Sequence, residues 1–301
     1  MNRDDVLRQF EQLNVWRRGG ERAPHKPLLV LYPLGRWSRG ETAAIPFADV
    51  DRDLTPLLKE FGPSRRSYHP EFPFWHLKKD GVWEVHSAGP LKARKGSNSP
   101  SKSDLLAKNV HAGFSDKVQQ ALRADPSLVG TLAGRLREEH FPESLHPDIL
   151  AAVGLTLDAG LPTHRKRDPQ FRQRVLTAYE YRCAVCGFDV RLGSATIALD
   201  AAHIRWHQAG GPDVESNGLA LCVLHHKTFD LGAFTVNRDG VLFVSEQAHG
   251  TEGFHETLLR HHGRPIRAPQ RPEWKPDPSY AAWHGREVFK GLARHHATEG
   301  A

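Results

Sequence analysis

Near the start of the chain the apolar positions recur at helical intervals: Val6, Phe10 and Leu13 stand three or four residues apart, with Val15 just beyond. An unbroken apolar run, Leu28 to Leu34, follows within "APHKPLLVLYPLGRW"; its length suits either a helix or a buried strand. "GPSRRSYHPEFPFWHL" mixes prolines, aromatics and charges without a period and reads as a loop, and "GVWEV" after it as a short strand. "LKARKGSNSPSKSD" is polar, basic and rich in Gly and Ser, the composition of a surface loop. Helical patterning returns over residues 104–125 and 127–140. "DAGLPTHRKRDP" combines Gly, Pro and a charge run, so residues 159–168 are predicted to link a domain of residues 1–158 to one of residues 169–301. The second domain opens with a helix in "PQFRQRVLTAYEYRC", and "LDAAH" ends a strand at His203. Beyond Ser245 the chain is rich in His, Arg and Pro before a closing helix in "YAAWHGREVFKGLARHH". Helices and short strands with no repeat predict an α+β protein.

Composition sharpens this picture in three ways. The 301 residues, 39% hydrophobic and 25% charged, suit two globular domains, each with its own core. No apolar run is long enough to span a bilayer and the N-terminus is charged, so the expectation is a cytoplasmic protein without a membrane partner. Three cysteines are too few for a disulfide framework and suit metal ligation. The net charge of +6 is compatible with a polyanionic partner.

The cysteines carry the strongest chemical signal. Cys183 and Cys186 in "CAVC" have the spacing with which two thiolates face one zinc ion. Cys222 and His225 in "CVLH" repeat that spacing and complete a Cys3His set for structural Zn2+. His226 is left over, and adjacent residues of a helix or turn point in different directions. The order His203, Asn217, His226, threaded through this knuckle in "AAHI", "NGLALC" and "HHKTFDLG", resembles an HNH nuclease domain, the ββα-metal fold, over roughly residues 170–245. "WHGREVFK" resembles the tail of its restriction-type members. The resemblance implies that His203 is the general base, that His226 binds a catalytic Mg2+ or Mn2+, and that Asn217 either holds the loop orienting His203 or touches the metal. Family members often carry an acidic residue just before the base, where Ala202 stands here. Asp200, or failing that Asp213, is the expected carboxylate on the catalytic cation. Asp230 is expected to be structural, and His207 a histidine of the surface or of the site's surroundings.

The N-terminal half should then select the target. "PHKPLLVLY" followed by "HPEFPFWHL" resembles the sulfur-binding domain of McrA-like type IV restriction enzymes over about residues 5–155, which implies recognition of double-stranded DNA bearing a phosphorothioate. Sulfur is larger, more polarisable and a weaker hydrogen-bond acceptor than oxygen, so an apolar cup prefers it. Phe72, Pro73, Phe74 and His76 are the candidate cup, with Tyr68 at its rim. His25, Lys26, Arg65 and Arg66 are candidates to offset the anionic charge, and Lys92, Arg94 and Lys95 to grip flanking phosphates or a groove. The expected protein is a modification-dependent endonuclease, for which a homodimer is a candidate assembly. The rivals are a methylated-base-dependent HNH enzyme and a non-catalytic zinc-containing DNA-binding regulator.

Overall fold

The computed structural model describes residues 2–15, 21, 24–94, 98–155, 168 and 170–294. The chain forms two compact units, Met1–Gly19 with Ala23–His164 and Gly20–Arg22 with Arg165–Ala301. Most of the segment expected to be the linker, residues 159–167, lies outside the described residues, as does Lys95. No described helix is long and apolar enough to cross a membrane.

The first unit contains α1 (Arg3–Glu11), α2 (His25–Ser38), β1 (Ile45–Pro46), α3 (Phe47–Phe61), α4 (Glu71–His76), β2 (Trp83–His86), α5 (Lys102–Ala107), β3 (His111–Phe114), α6 (Asp116–Ala124), α7 (Ser127–His140) and α8 (His146–Val153). The ambiguous apolar run is a helix: α2 buries every residue from Pro27 to Gly35 and packs against α3, α4, α7 and α8. Gly35 permits the approach of α8, since a Cβ there would lie 1.9 Å from the Val153 carbonyl oxygen. Two expectations need correction. The Pro- and aromatic-rich loop contains α4, entered through Pro70 in the αR region. The helical pattern over 104–125 is broken by β3, which pairs antiparallel with both β1 and β2 and is the centre of the sheet. In β3, Ala112 and Phe114 are buried while His111 and Gly113 are half-buried, a period of two too short to stand out between helical stretches.

The second unit contains α9 (Phe171–Ala178), β4 (Arg191–Leu192), β5 (Ala195–Thr196), β6 (Leu199–His203), β7 (Gly218–Cys222), α10 (Val223–Asp230), β8 (Phe234–Val236), β9 (Leu242–Val244), α11 (Glu252–Thr257) and α12 (Pro278–Glu287). β6 and β7 pair antiparallel in a register that sets Leu199 against Cys222 and His203 against Gly218. α10 leaves directly from β7 and packs back on both strands, giving the ββα unit. α9 covers the hairpin, and Phe171, Val175, Leu176, Leu219, Leu221, Phe229 and Phe234 lie in one core. α9 is shorter than its sequence pattern because Glu180 and Tyr181 take φ of 55° and 57°, which turns the chain toward Cys183. The closing helix, expected to run on to residue 296, is α12 and ends at Glu287.

Candidate functional site

Sγ of Cys183, Cys186 and Cys222 and a ring nitrogen of His225 all lie within 4.8 Å of one another. Cys186 Sγ is 4.0 Å from Cys222 Sγ, and His225 Nδ1 is 3.1 Å from Cys222 Sγ and 3.6 Å from Cys183 Sγ. Tetrahedral zinc with its usual bond lengths requires ligand separations of about 3.5–3.8 Å, so the donor set fits that ion. His225 Nε2 donates to the Thr257 carbonyl at 2.7 Å, which fixes the ring and directs Nδ1 at the thiols. Burial pushes the His225 imidazole down, but the Cys183 and Cys222 sulfurs outweigh it and raise it to about 10; the cluster favours positive charge at its centre.

The adjacent His226 is turned elsewhere. Its Nε2 lies 3.2 Å from Oδ2 of Asp230, one helical turn on, and the Trp206 indole N–H donates to the other oxygen of that buried carboxylate at 3.0 Å. His203, at the end of β6, has its imidazole stacked on the Phe171 ring, centroids 4.1 Å apart and planes 13° apart. Its Nε2 is 2.7 Å from Asp213 Oδ1. Asp200 is not brought to this place. Three residues along a strand change face, and Asp200 instead pairs with Arg172 at 3.2 Å. Asp213, from the following loop, is the carboxylate that reaches His203. His207 Nε2 stands 4.0 Å from its other oxygen.

Asn217 is completely buried. Its Oδ1 accepts from the Arg205 N–H at 2.8 Å, and its Nδ2 donates to the carbonyls of Arg205 at 3.0 Å and Pro212 at 2.9 Å. With both amide hydrogens engaged by the backbone, the side chain ties the two ends of the loop after His203 together. Gly211 allows this, because a Cβ there would come within 1.8 Å of the Arg205 carbonyl oxygen.

In the first unit a cavity of about 330 Å³ is lined by Asn14, Val15, His25, Lys26, Phe72, Pro73, His76 and Lys79. Five of these were candidates from sequence: His25 and Lys26 from the first turn of α2, Phe72, Pro73 and His76 from one side of α4. Phe74 does not belong to it. It is buried on the other side of α4, edge-on to Phe47 and Trp83. Arg65, Arg66 and Tyr68 precede α4 and are absent from the lining; the two arginines are exposed, and Tyr68 accepts the Arg65 N–H at 3.4 Å. Arg94 stands over the Phe72 ring, 4.9 Å from its centroid, so the basic loop reaches the cavity's edge. Lys26 is paired with the buried Asp80. Burial lowers the His76 imidazole from its ordinary value, and the charges of Lys79, Lys26 and Lys78 lower it further against the opposing charge of Asp80. Asn14 and Lys79 had no sequence signal of their own; the exit of α1 is brought here by the Asn14 N–H, which donates to Asp80 Oδ1 at 3.0 Å.

Two family models match the chain: "ScoMcrA-like, DNA sulfur-binding domain" over residues 3–158 and "HNH endonuclease" over residues 183–237. Comparison with curated proteins finds no match. Among solved structures, the sulfur-binding domain of ScoMcrA in complex with phosphorothioated DNA is 24% identical, the alignment covering 49% of this chain and 94% of that one at a TM-score of 0.43. The type IV phosphorothioation-dependent restriction endonuclease ScoMcrA is 23% identical at a TM-score of 0.42, with only 31% of its length covered. The modification-dependent TagI restriction endonuclease is 28% identical over 44% of this chain and 41% of that one, at a TM-score of 0.29.

Proposed function

Because the chain belongs to the ScoMcrA-like DNA sulfur-binding domain family and also carries an HNH endonuclease domain, we propose that it is a modification-dependent restriction endonuclease, which binds phosphorothioated duplex DNA and hydrolyses phosphodiesters. The domains proposed for these tasks are residues 1–158 and 169–301. The observation that carries the reading is the pairing of an apolar, electropositive cavity in one unit with the His203–Asn217–His226 order in the other.

Phe72, Pro73 and Val15 give the sulfur an apolar wall, where a hydrated oxygen would lose solvation without return. His25 and Lys26 add the positive end of α2 to the charge of Lys79. In the nuclease site His203 is the residue proposed to take the proton of the attacking water. His226 would hold the catalytic divalent cation, its ring backed by Asp230 as metal-binding imidazoles commonly are. When bound, that cation neutralises charge developing on the phosphorane and the leaving oxygen. Cys183, Cys186, Cys222 and His225 hold a zinc ion that stabilises the fold. Asp200, tied to Arg172, has no step assigned to it. Cutting both strands in one encounter usually takes two such sites, which a homodimer would supply.

The test compares Rp, Sp and unmodified versions of one duplex by gel shift and, with Mn2+, by cleavage. One phosphorothioate diastereomer should bind and be cut in preference, since a cavity approached from one side meets one non-bridging position. Equal binding of all three duplexes would remove sulfur recognition and favour the methylated-base rival.

A further inference from the structure

The loop between His203 and Asn217 carries an acidic residue that the proposed chemistry leaves without a task. We propose that Asp213 is the positioning residue of the nuclease site: it holds the His203 imidazole in one tautomer and is not a ligand of the catalytic cation. The proposal rests on the reading of His203 as the general base.

Both carboxylate oxygens of Asp213 are engaged by N–H groups. Oδ1 meets His203 Nε2 at 2.7 Å, and Oδ2 accepts the backbone N–H of Asp168 at 3.0 Å. Burial pushes this carboxyl up, but the Asp168 N–H and His203 outweigh it and leave it below its ordinary value, hence ionised. An ionised carboxylate only accepts, so the proton of the neutral ring sits on Nε2 and the lone pair on Nδ1. The Phe171 ring, lying nearly parallel at 4.1 Å, fixes the plane in which the imidazole can turn. Tautomer and plane are the two freedoms that a general base must lose before it can act in a set direction.

Asp213 is also held through its backbone. Arg174 on α9 donates from Nη2 to the Asp213 carbonyl at 2.6 Å and from Nη1 to Asp168 Oδ2 at 2.6 Å, while its Nε lies 3.1 Å from Glu215. One guanidinium thus ties together the residue leading into α9, the residue facing the base and the turn that carries Asn217. Asp168 Oδ1 also accepts the Gln170 N–H at 2.8 Å, which seats the start of α9. The loop is brought back to His203 by Asn217, whose bond to the Pro212 carbonyl fixes the residue just before Asp213. Each Asp213 oxygen is thus turned toward an N–H group, the ring on one side and the backbone on the other, which is the arrangement of an orienting carboxylate.

The experiment uses the full chain with zinc retained. Asp213→Asn, Asp213→Ala, Arg174→Met and His203→Ala are compared for phosphorothioated-duplex binding, for single-turnover cleavage across a Mn2+ titration, and for the 15N signature of the His203 ring. Loss of the orienting group should lower the Asp213→Asn cleavage rate by about 10²-fold or more. Binding and the half-saturating Mn2+ concentration should stay as in wild type, and the Nε2–H tautomer should lose its dominance. A raised half-saturating Mn2+ with full rate restored at high Mn2+ would make Asp213 a cation ligand and overturn the proposal, as would a wild-type rate. If neither Asp213 variant folds, Arg174→Met decides: misplacing the carboxylate should cost about 10-fold or more at an unmoved Mn2+ dependence, and a wild-type rate overturns the idea. Inactive His203→Ala beside active Asp213→Asn removes the positioning role alone; if both cut normally, the base assignment falls as well.

Discussion

Removing the side chain of Asn217 tests whether this residue ties a loop or touches a metal. Asn217→Ala deletes three hydrogen bonds, of 2.8, 2.9 and 3.0 Å, and strands the Arg205 N–H and the carbonyls of Arg205 and Pro212 in a fully buried place. At about 1 kcal/mol per bond the local cost is about 3 kcal/mol, with any desolvation penalty for the stranded groups added to it. Each ~1.4 kcal/mol is a factor of ten, so hydrogen-exchange protection of amides in the 204–217 segment should fall on the order of 10²-fold. Mass spectrometry of the full chain reads that segment directly. Asn217→Asp should be worse than Ala, because a carboxylate has no N–H to give and would face two carbonyl oxygens as a buried charge. A cation ligand behaves in the opposite way: Asp is a good oxygen ligand and should keep activity or tighten Mn2+. Unchanged exchange in Asn217→Asp together with a lower Mn2+ requirement would refute the loop-tie reasoning.

Two further outcomes are expected. The chain should carry one zinc by elemental analysis, and Cys183→Ser should lose it together with the exchange protection of residues 199–230, because metal binding supplies folding free energy there; a metal-free, protected variant would remove the assignment. In the first unit, burial holds the His146 imidazole below its ordinary 6.5, although its Nε2–H donates to the Phe141 and Arg137 carbonyls. The folded state therefore binds this proton less readily than the unfolded chain. Its contribution to stability is complete above about pH 6.5 and is lost as the pH falls toward the depressed folded value. His146→Gln should flatten the fall in thermal stability between pH 7.5 and 5.5, and an identical slope in wild type and variant would exclude this role.

Which parts were legible in sequence follows from how each contact is encoded. The Cys3His cluster was, because four side chains of rare type at repeated spacing leave little alternative. The Thr257 carbonyl that orients His225 was not: a backbone oxygen 32 residues away has no residue-type signature. For the carboxylate, the sequence offered Asp200 by nearness and Asp213 as second choice. Strand alternation puts Asp200 on the face away from His203, and the loop that returns Asp213 is shaped by Gly211 and Asn217, whose effect appears only when folded. Phe74 and Phe72 are indistinguishable by type; their separation required knowing that "EFPFWH" is a helix. β3 was hidden because four residues with one Gly carry too little pattern against the helices on either side. Glu180 and Tyr181 end α9 in the left-handed region without a glycine to announce it.

The adjacent histidines of α10 show why the HNH unit needs more than its ββα elements. A helix turns about 100° per residue, so His225 faces the thiols while His226 faces round to the side occupied, one turn later, by Asp230. A metal on the first imidazole would thereby fix the rotation of the helix that aims the second. Two five-residue strands alone would be marginal in water, and a metal at the Cys3His cluster would secure only the end of the hairpin where Cys222 lies opposite Leu199. The end that carries His203 is held by α9, whose Val175 and Phe171 close on Gly218 so tightly that a Cβ there would come within 2.4 Å of Val175. The far end of α10 is held by α12: the His284 ring stacks on Phe229 at 3.7 Å, and Trp283 lies edge-on to Trp206, the residue that donates to Asp230. His226 is therefore aimed from both ends of its helix, by the Cys3His cluster through His225 and by α12 through Trp206 and Asp230. The C-terminal helix, though distant in sequence from the HNH residues, belongs to the machinery that positions them.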